Sequence, residues 1–165
     1  MNDVQLDKAT DAKKLASFCN SEGIVRCWRL PDQLEDSDDD VVIGFAKQHG
    51  RILLTTDRTM PDEYPGALAF GSFGVLIIAL GDASRQTMTH AALMSILATF
   101  KSDFTDWGTL DLRNSIIELQ PRFIDVSHVA GERIERTDLC DRTAEDWQKK
   151  LRAALRLNAE RKNIR

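Results

Sequence analysis

Four carboxylates in the first 57 residues could form one acidic site: Asp7, Asp39, Asp40 and Asp57. Carboxylate oxygens are the ligands that hard cations such as Mg²⁺ and Mn²⁺ prefer. Such an ion can orient a water for attack on a phosphodiester and offset the charge that grows on the leaving oxygen. It also relieves the repulsion between clustered carboxylates. We therefore expect Asp7, Asp39 and Asp57 to hold a Mg²⁺ or Mn²⁺ ion, with Asp40 as a substitute or additional ligand.

Each acid also has a structural alternative. Asp7 can cap a turn or a helix, and Asp39 and Asp40 can complement the positive end of a helix dipole. Asp57 can cap a loop, but it directly follows the apolar run Ile52-Leu-Leu-Thr-Thr, which is typical of a buried strand. A carboxylate at the carboxyl end of a parallel strand is how open α/β sheets build ligand sites, and this position favours function for Asp57.

The elements that must position these acids alternate between strand and helix. Residues 4–6 read as a first strand, and Asp7 follows it. The acids 38–40 open an amphipathic helix that stops at Gly50, and residues 51–56 form the strand that ends at Asp57. Right-handed crossovers place successive strand ends on the same edge of a sheet. The acids are therefore predicted to converge on one crevice.

The rest of the chain completes an α/β pattern. Its predicted elements are a helix over 10–21 that ends at Gly23, a strand over 24–28, an irregular loop rich in Pro and Gly after Asp57, a buried strand over 74–80, a helix over 84–100, two antiparallel strands over 115–119 and 123–126, and a terminal amphipathic helix from Thr143. The fold is predicted to be a three-layer α/β domain, with a mainly parallel central sheet and helices on both faces. Residues 1–142 form this domain, and we expect residues 143–165, the terminal helix, to pack on it.

Composition excludes several classes of protein. A chain of 165 residues suits one domain, and its longest apolar run, Val75 to Leu80, is too short to span a bilayer. The amino terminus lacks the basic start and long apolar stretch of a signal peptide, so we expect a cytoplasmic protein without membrane partners. The net charge of −4 combines an acidic body with a basic segment after residue 143, which suits an acidic site and a separate surface for an acidic partner.

Cysteine and histidine chemistry has little support. The chain has three cysteines, Cys19, Cys27 and Cys140, and no Cys-x-x-Cys spacing, which argues against a zinc site or a disulfide framework. Buried reduced thiols are the expected state. The three histidines are far apart in the sequence and none lies at metal-ligand spacing from another.

The stretch from Asp39 to Arg58 strongly resembles the PIN-like proteins, including the bacterial branch related to VapC-type toxins. An early strand ending in Leu6-Asp7, an acidic start of a helix at Asp39-Asp40, and a Gly-Arg-apolar-Thr-x-Asp segment over 50–57 all match that family. The segment from Asp111 to Glu118 is similar to its closing strand. The resemblance covers roughly residues 4–126.

The resemblance implies a PIN-like domain and a Mg²⁺-dependent ribonuclease, often the toxin of a toxin–antitoxin pair. Catalytic roles then fall on Asp7, Asp39 and Asp57, and metal binding falls on these three together with Asp40. RNA is the implied substrate and an antitoxin protein the implied partner. The sequence leaves the oligomeric state undetermined, and a homodimer is one alternative. Arg51, Arg58 and Arg85 are candidate phosphate contacts.

Two positions depart from the family pattern. Many members carry a second acid where this chain has Thr59, and the early motif reads Asp7-Lys8-Ala9 instead of Asp-Glu-Asn. A lysine beside the site weakens cation binding unless it pairs with a neighbour, and Asp62 or Glu63 could supply the missing acid. These departures support an alternative, a non-catalytic PIN-like module that binds a protein partner or RNA. A different phosphate-handling α/β enzyme needs a phosphate cradle, and the sequence has no glycine-rich P-loop.

Overall fold

A computed structural model describes residues 2–8, 12–23, 26–69, 73–78, 97–99, 102, 106–120, 123–129, 133–138 and 144–161. Within these ranges the strands are β1 (Asp3–Leu6), β2 (Arg26–Trp28), β3 (Ile52–Thr55), β4 (Val75–Ile78), β5 (Ser115–Leu119), β6 (Phe123–His128) and β7 (Arg133–Asp138). The described strands form one sheet with the order β2-β1-β3-β4-β5-β6-β7.

The first five strands of this sheet are parallel, whereas β6 and β7 are antiparallel to their neighbours. The expected mainly parallel sheet is therefore confirmed, and the chain has an α/β fold. The strands β5 and β6, which flank the turn predicted at Gln120-Pro121, pair as an antiparallel couple as expected. Because β1, β3, β4 and β5 are parallel, their carboxyl ends lie at one edge of the sheet, and the strand order changes direction between β1 and β3.

The described helices are α1 (Ala12–Ser21), α2 (Asp39–Gln48), α3 (Met60–Glu63), α4 (Pro65–Ala69) and α5 (Ala144–Glu160), with 3-10 turns at Asp32–Leu34 and Trp107–Thr109. The helices α3 and α4 correct the expectation of an irregular loop after Asp57. Pro61 and Pro65 lie in the first turns of these two helices. A first-turn backbone N–H has no partner within the helix, so proline is tolerated there and is no sign of irregular structure.

Two further sequence expectations differ from the structure or lie outside its description. Strand β7 was not predicted, because its sequence, Arg-Ile-Glu-Arg-Thr-Asp, is dominated by charged residues. Charged side chains are typical of strands at a sheet edge, where they discourage pairing with other chains. Most of the predicted helix over 84–100 lies outside the described residues, as does Cys140.

The core consists of two apolar layers on opposite faces of the sheet. Side chains alternate between the faces, so Leu54 and Leu76 lie in one layer and Leu53 and Val75 in the other. The first layer also contains side chains of α1 and α5, namely Leu15, Cys19, Leu151, Ala154 and Leu155, and the second contains Val42, Ile43 and Ala46 of α2. Helices therefore cover both faces of the sheet, and α5 packs on β5, β6 and β7.

Cys19 and Cys27 are buried free thiols in the first layer, as expected. The hydrogen bond with Cys19, together with burial, raises the pKa of the Cys27 thiol well above its ordinary value. Burial and the raised pKa favour an inert Cys27 thiol, whereas the hydrogen bond with Cys27 lowers the pKa of the Cys19 thiol. None of the described helices has the length and apolar character needed to cross a membrane.

Gly50 sets the direction from which β3 enters the sheet. Its φ is 64°, in the left-handed region that glycine adopts without steric cost, and its N–H donates to Lys47 O at 3.0 Å. The turn ends α2 and starts the strand that leads to Asp57 within seven residues. The Gly-Arg pair of the sequence motif thus forms the turn between α2, which begins with Asp39 and Asp40, and β3, which leads to Asp57.

Candidate functional site

Asp7 and Asp57 lie at the ends of two neighbouring parallel strands. Asp7 directly follows β1 and its N–H donates to Leu54 O of β3 at 2.9 Å. Asp57 comes two residues after β3. Both side chains are almost fully buried, with exposures of 2% and 1%. The structure therefore brings together two of the four predicted site residues.

The hydroxyl of Thr55 connects the two acids. Thr55 Oγ1 donates to Asp7 Oδ2 at 2.8 Å and accepts from the N–H of Asp57 at 2.9 Å. Thr55 is itself fully buried. A signal for it exists in the sequence, because residues two apart on a strand lie on the same face and Thr55 precedes Asp57 by two. Sequence reasoning missed it because a hydroxyl is not a metal ligand of choice.

Two more donors fix the carboxylates. The backbone N–H of Lys8 donates to Asp7 Oδ1 at 2.6 Å. Thr59 donates twice to Asp57 Oδ1, from its N–H at 2.9 Å and from its hydroxyl at 2.8 Å. The position where the family pattern has a second acid is thus occupied by a residue that orients Asp57. These bonds hold the carboxylate oxygens in defined positions.

Asp39 lies at the first turn of α2 and contacts Lys8. The ammonium of Lys8 lies 3.4 Å from Asp39 Oδ1 and donates to Ser37 O at 2.8 Å. Lys8 thereby connects the end of β1 to the start of α2, because its backbone binds Asp7 and its side chain binds Asp39. A cation supplied by the chain itself thus contacts Asp39, the acid that was expected to converge with Asp7 and Asp57.

The remaining candidate acids are more exposed. Asp40 is exposed, and its Oδ1 accepts from the N–H of Val41 at 2.8 Å, a local contact at the helix start. Asp62 and Glu63 are exposed in α3. Partial burial raises the pKa of the Tyr64 hydroxyl, and the neighbouring negative charges, Asp39 first among them, raise it further. Tyr64 therefore faces the same acidic surface.

Glu118 is an acid on the same edge that sequence reasoning did not assign to the site. The sheet register aligns Thr55 with Ile77 of β4 and Ile77 with Glu118 of β5. Glu118 is thus two strand spacings, about 10 Å, from Thr55. Its carboxylate lies 2.9 Å from Arg58 Nε. Arg58, a predicted phosphate contact, is therefore paired with an acid, and Arg85 lies outside the described residues.

The donor chemistry of Asp7 and Asp57 fits a hard divalent cation, since both present carboxylate oxygens at one edge of the sheet. In the described ranges, no group of three His, Cys, Asp or Glu side chains is placed to hold one ion. The third predicted ligand, Asp39, is held by Lys8. The residue types of Asp7 and Asp57 therefore suit such an ion, whereas Asp39 is paired with a lysine of the chain.

Fold and site together define an α/β protein with a pair of buried carboxylates at the carboxyl edge of a mainly parallel sheet. No protein-family model matches the chain, and no curated protein or solved structure is significantly similar to it. The chemistry of the site must therefore carry the functional argument.

Proposed function

We propose that this protein is a Mg²⁺-dependent ribonuclease of the PIN-like type. The observation that carries the proposal is the connected set Asp7, Thr55 and Asp57: the buried Thr55 hydroxyl donates to the Asp7 carboxylate and accepts from the backbone N–H of Asp57, and both acids are almost fully buried. Buried carboxylates are costly unless a cation or several hydrogen bonds compensate them. Their position at the carboxyl edge of parallel strands is the usual place for a ligand site in this fold class.

The residues of this site have separate tasks in the proposal. Asp7 and Asp57 hold the ion, and Thr55 and Thr59 orient their oxygens. Asp39 joins as the third ligand once its contact with Lys8 opens, and Asp40 is the additional ligand. A bound Mg²⁺ supplies charge neutralisation and water activation for phosphodiester hydrolysis. Arg58, which is paired with Glu118 on the same edge, is the candidate contact to the substrate backbone.

The sequence resemblance supports the same activity. Leu6-Asp7, the acids at the start of α2 and the Gly50–Asp57 segment are the parts of the chain that match the PIN-like pattern. The proposal therefore includes RNA as the substrate, an antitoxin protein as a partner and a cytoplasmic location. It leaves the antitoxin and the RNA sequence unspecified.

The test is cleavage of a labelled single-stranded RNA with Mg²⁺ or Mn²⁺ by the wild type and by Asp57→Asn. Loss of even an outer-shell partner of a metal site costs about 10- to 100-fold in activity, so loss of a ligand should cost at least about 100-fold. Asn keeps the oxygen that accepts from Thr59, so the variant should fold normally.

A matched control is Asp111→Asn, which removes one carboxylate from an exposed ion pair with Arg113. Its cleavage rate should equal that of the wild type. Equal cleavage by Asp57→Asn and the wild type would overturn the assignment.

The contact between Lys8 and Asp39 favours a second candidate, a non-catalytic PIN-like module that binds a protein or RNA. In that protein the ammonium permanently takes the place of a metal ion. Titration calorimetry with Mn²⁺ separates the two. The nuclease predicts binding at millimolar Mn²⁺ that Asp57→Asn abolishes and that Lys8→Met strengthens. Lys150→Met, which removes an exposed lysine of α5, should leave it unchanged. Absence of binding in every variant, Lys8→Met included, supports the non-catalytic module.

A further inference from the structure

A cluster of two arginines on one tryptophan lies at the free edge of the sheet, beside the acidic site. Arg26 and Trp28 belong to β2, the edge strand, and are two residues apart, so they share a face. Trp28 is aligned with Gln5 of β1. Arg51 reaches the same place from the start of β3. We call Arg26, Trp28 and Arg51 the arginine–tryptophan cluster.

Both guanidinium groups lie against the same indole ring. Arg51 Cζ is 4.2 Å from the ring centroid of Trp28, and Arg26 Cζ is 5.0 Å from it. These distances are in the range of cation–π contacts. Two long, flexible side chains are thereby held in defined positions at a sheet edge, where they present planar hydrogen-bond donors.

A buried glutamine of the neighbouring strand β1 holds the cluster in place. Arg51 Nη1 donates to Gln5 Oε1 at 2.8 Å, and Gln5 Nε2 donates to Trp28 O at 3.1 Å. Gln5 is fully buried in β1, in a sheet position where an apolar side chain is the ordinary occupant. The cost of burying this amide is therefore offset by bonds that orient Arg51 and Trp28. The positions of Arg51 and Trp28 are thus fixed by hydrogen bonds to a buried residue.

The cluster carries more positive than negative charge. Among the described residues, Asp3 contacts the cluster with Oδ1 at 3.9 Å from Arg26 Nε, whereas Arg51 bonds to a neutral amide. Burial lowers the pKa of the Arg51 guanidinium, Asp3 opposes this effect and Arg26 adds to it. Arginine stays charged nevertheless. The two guanidinium groups on the Trp28 ring repel each other, and an anion that binds both of them would offset this repulsion.

The cluster and the acidic site lie on one face of the sheet. Gln5 and Asp7 are two residues apart on β1, so their side chains point to the same face about 7 Å apart along the strand. Thr55 and Asp57 follow the same alternation on β3. The cluster and the acidic site therefore belong to the same face of the sheet, the one on which α2 packs.

We propose that Arg26 and Arg51, held on Trp28, bind the phosphodiester backbone of single-stranded RNA. Guanidinium groups suit this ligand because their planar donors bind phosphate oxygens in pairs. The choice of RNA rests on the proposed nuclease function. The cluster binds the backbone and so selects for a flexible anionic chain, not for a base sequence.

The experiment is fluorescence anisotropy with a labelled oligouridylate in EDTA, so that cleavage does not interfere. Each phosphate contact on single strands contributes about 0.7 to the slope of log affinity against log salt. Arg26→Gln and Arg51→Gln should each lower that slope by about 0.7 and weaken binding about fivefold at 0.1 M salt. Arg26→Gln leaves the bond between Arg51 and Gln5 intact and guards against a folding defect.

The matched controls are Arg113→Gln and Arg156→Gln, which remove exposed arginines from ion pairs elsewhere. They should bind RNA like the wild type. Wild-type affinity in both Arg26→Gln and Arg51→Gln would overturn the inference. So would an oligoglutamate peptide that binds as tightly as RNA and loses affinity in the same two variants, because the cluster would then be a protein-docking site.

This test is separable from that of the nuclease. Asp57→Asn should retain full RNA affinity in EDTA, because it leaves the cluster untouched. Normal affinity of the arginine variants, with cleavage lost in Asp57→Asn, rejects the cluster and keeps the nuclease. Weakened affinity of the arginine variants, with no metal-dependent cleavage by the wild type, rejects the nuclease and keeps an RNA-binding cluster.

Discussion

Two buried polar clusters lie at opposite edges of the sheet and differ in chemistry. At the carboxyl edge of the parallel strands, Asp7 and Asp57 are joined through Thr55. At the other edge, Asn158 of α5 donates to Ser115 Oγ at 3.1 Å and to Ser127 O at 3.2 Å. The first cluster contains ionisable groups, and the second consists of neutral amide, hydroxyl and carbonyl groups.

This difference indicates that the acidic cluster is a functional site and that the Asn158 cluster stabilises the fold. Neutral groups that bond to each other lower the cost of burial without needing a ligand, and the Asn158 cluster attaches α5 to β5 and β6. Two neighbouring carboxylates repel each other and gain from an external cation. We therefore expect substitutions in the acidic cluster to change activity, and those in the Asn158 cluster to change the free energy of unfolding.

The largest effect is expected for Asp7→Asn. It removes one proposed ligand and should lower RNA cleavage by at least about 100-fold. It also removes repulsion with Asp57, so the free energy of unfolding without metal should stay the same or rise. Initial cleavage rates and urea denaturation in EDTA measure the two quantities. A large loss of stability with unchanged cleavage would place Asp7 with the structural cluster.

Asn158→Ala should lower the free energy of unfolding and leave RNA cleavage unchanged. It removes a fully buried amide and leaves its partners Ser115 and Ser127 without their donor. We expect a loss of about 2 kcal/mol in the free energy of unfolding, in the range found for broken buried hydrogen bonds, and an unchanged cleavage rate. Asn163→Ala, which changes the same residue type near the end of the chain, is the comparison variant. Loss of cleavage in a folded Asn158→Ala protein would contradict this division.

Thr55→Val tests whether one residue contributes both to the stability of the fold and to RNA cleavage. Valine has a similar shape but lacks the hydroxyl that binds Asp7 and accepts from Asp57, so two buried partners lose a bond. We expect a loss of about 1 to 2 kcal/mol in the free energy of unfolding and a roughly tenfold loss of cleavage. Thr55→Ser, which keeps the hydroxyl, should recover most of the activity. Equal losses of activity in Val and Ser variants would show that the methyl group, not the hydroxyl, matters.

The smallest effect concerns the ion pair that joins α5 to the 3-10 turn at Trp107–Thr109. Arg152 donates to Asp106 through both terminal nitrogens, and the bond from Arg152 holds the pKa of Asp106 below its ordinary value. The pair is partly exposed, so Arg152→Met should cost only about 0.5 kcal/mol at pH 7.

The sign of the pH dependence follows from the lowered pKa of Asp106. Its contribution is fully present above the ordinary pKa of an aspartate, about 4, and is lost as pH falls through the lower pKa of the folded state. The difference between wild type and Arg152→Met should therefore shrink from pH 7 to pH 2 in urea denaturation. Arg156→Met, which affects a more exposed pair, should show a smaller difference. A difference that grows at low pH would contradict the assigned contact.

The sequence determined the order of elements and the strand ends. Short apolar runs predicted β1, β3, β4 and the pair β5–β6, because strands that are buried on both faces carry apolar side chains on both. Gly50 predicted the turn before β3, because a positive φ favours glycine. Strand β7 escaped prediction because its charged sequence resembles solvent-exposed chain, and α3 and α4 escaped because proline was read as a sign of irregular structure.

The same division holds for the site. Residue types and strand positions predicted the acids Asp7 and Asp57, since a carboxylate just after a buried strand needs a reason to be there. Only the tertiary structure decided that Thr55 joins them, that Lys8 contacts Asp39, and that Arg58 pairs with Glu118. Those contacts depend on strand register and on the docking of α2, which bring together side chains up to 60 residues apart. Local sequence patterns report which face a residue occupies, but not which distant residue it meets there.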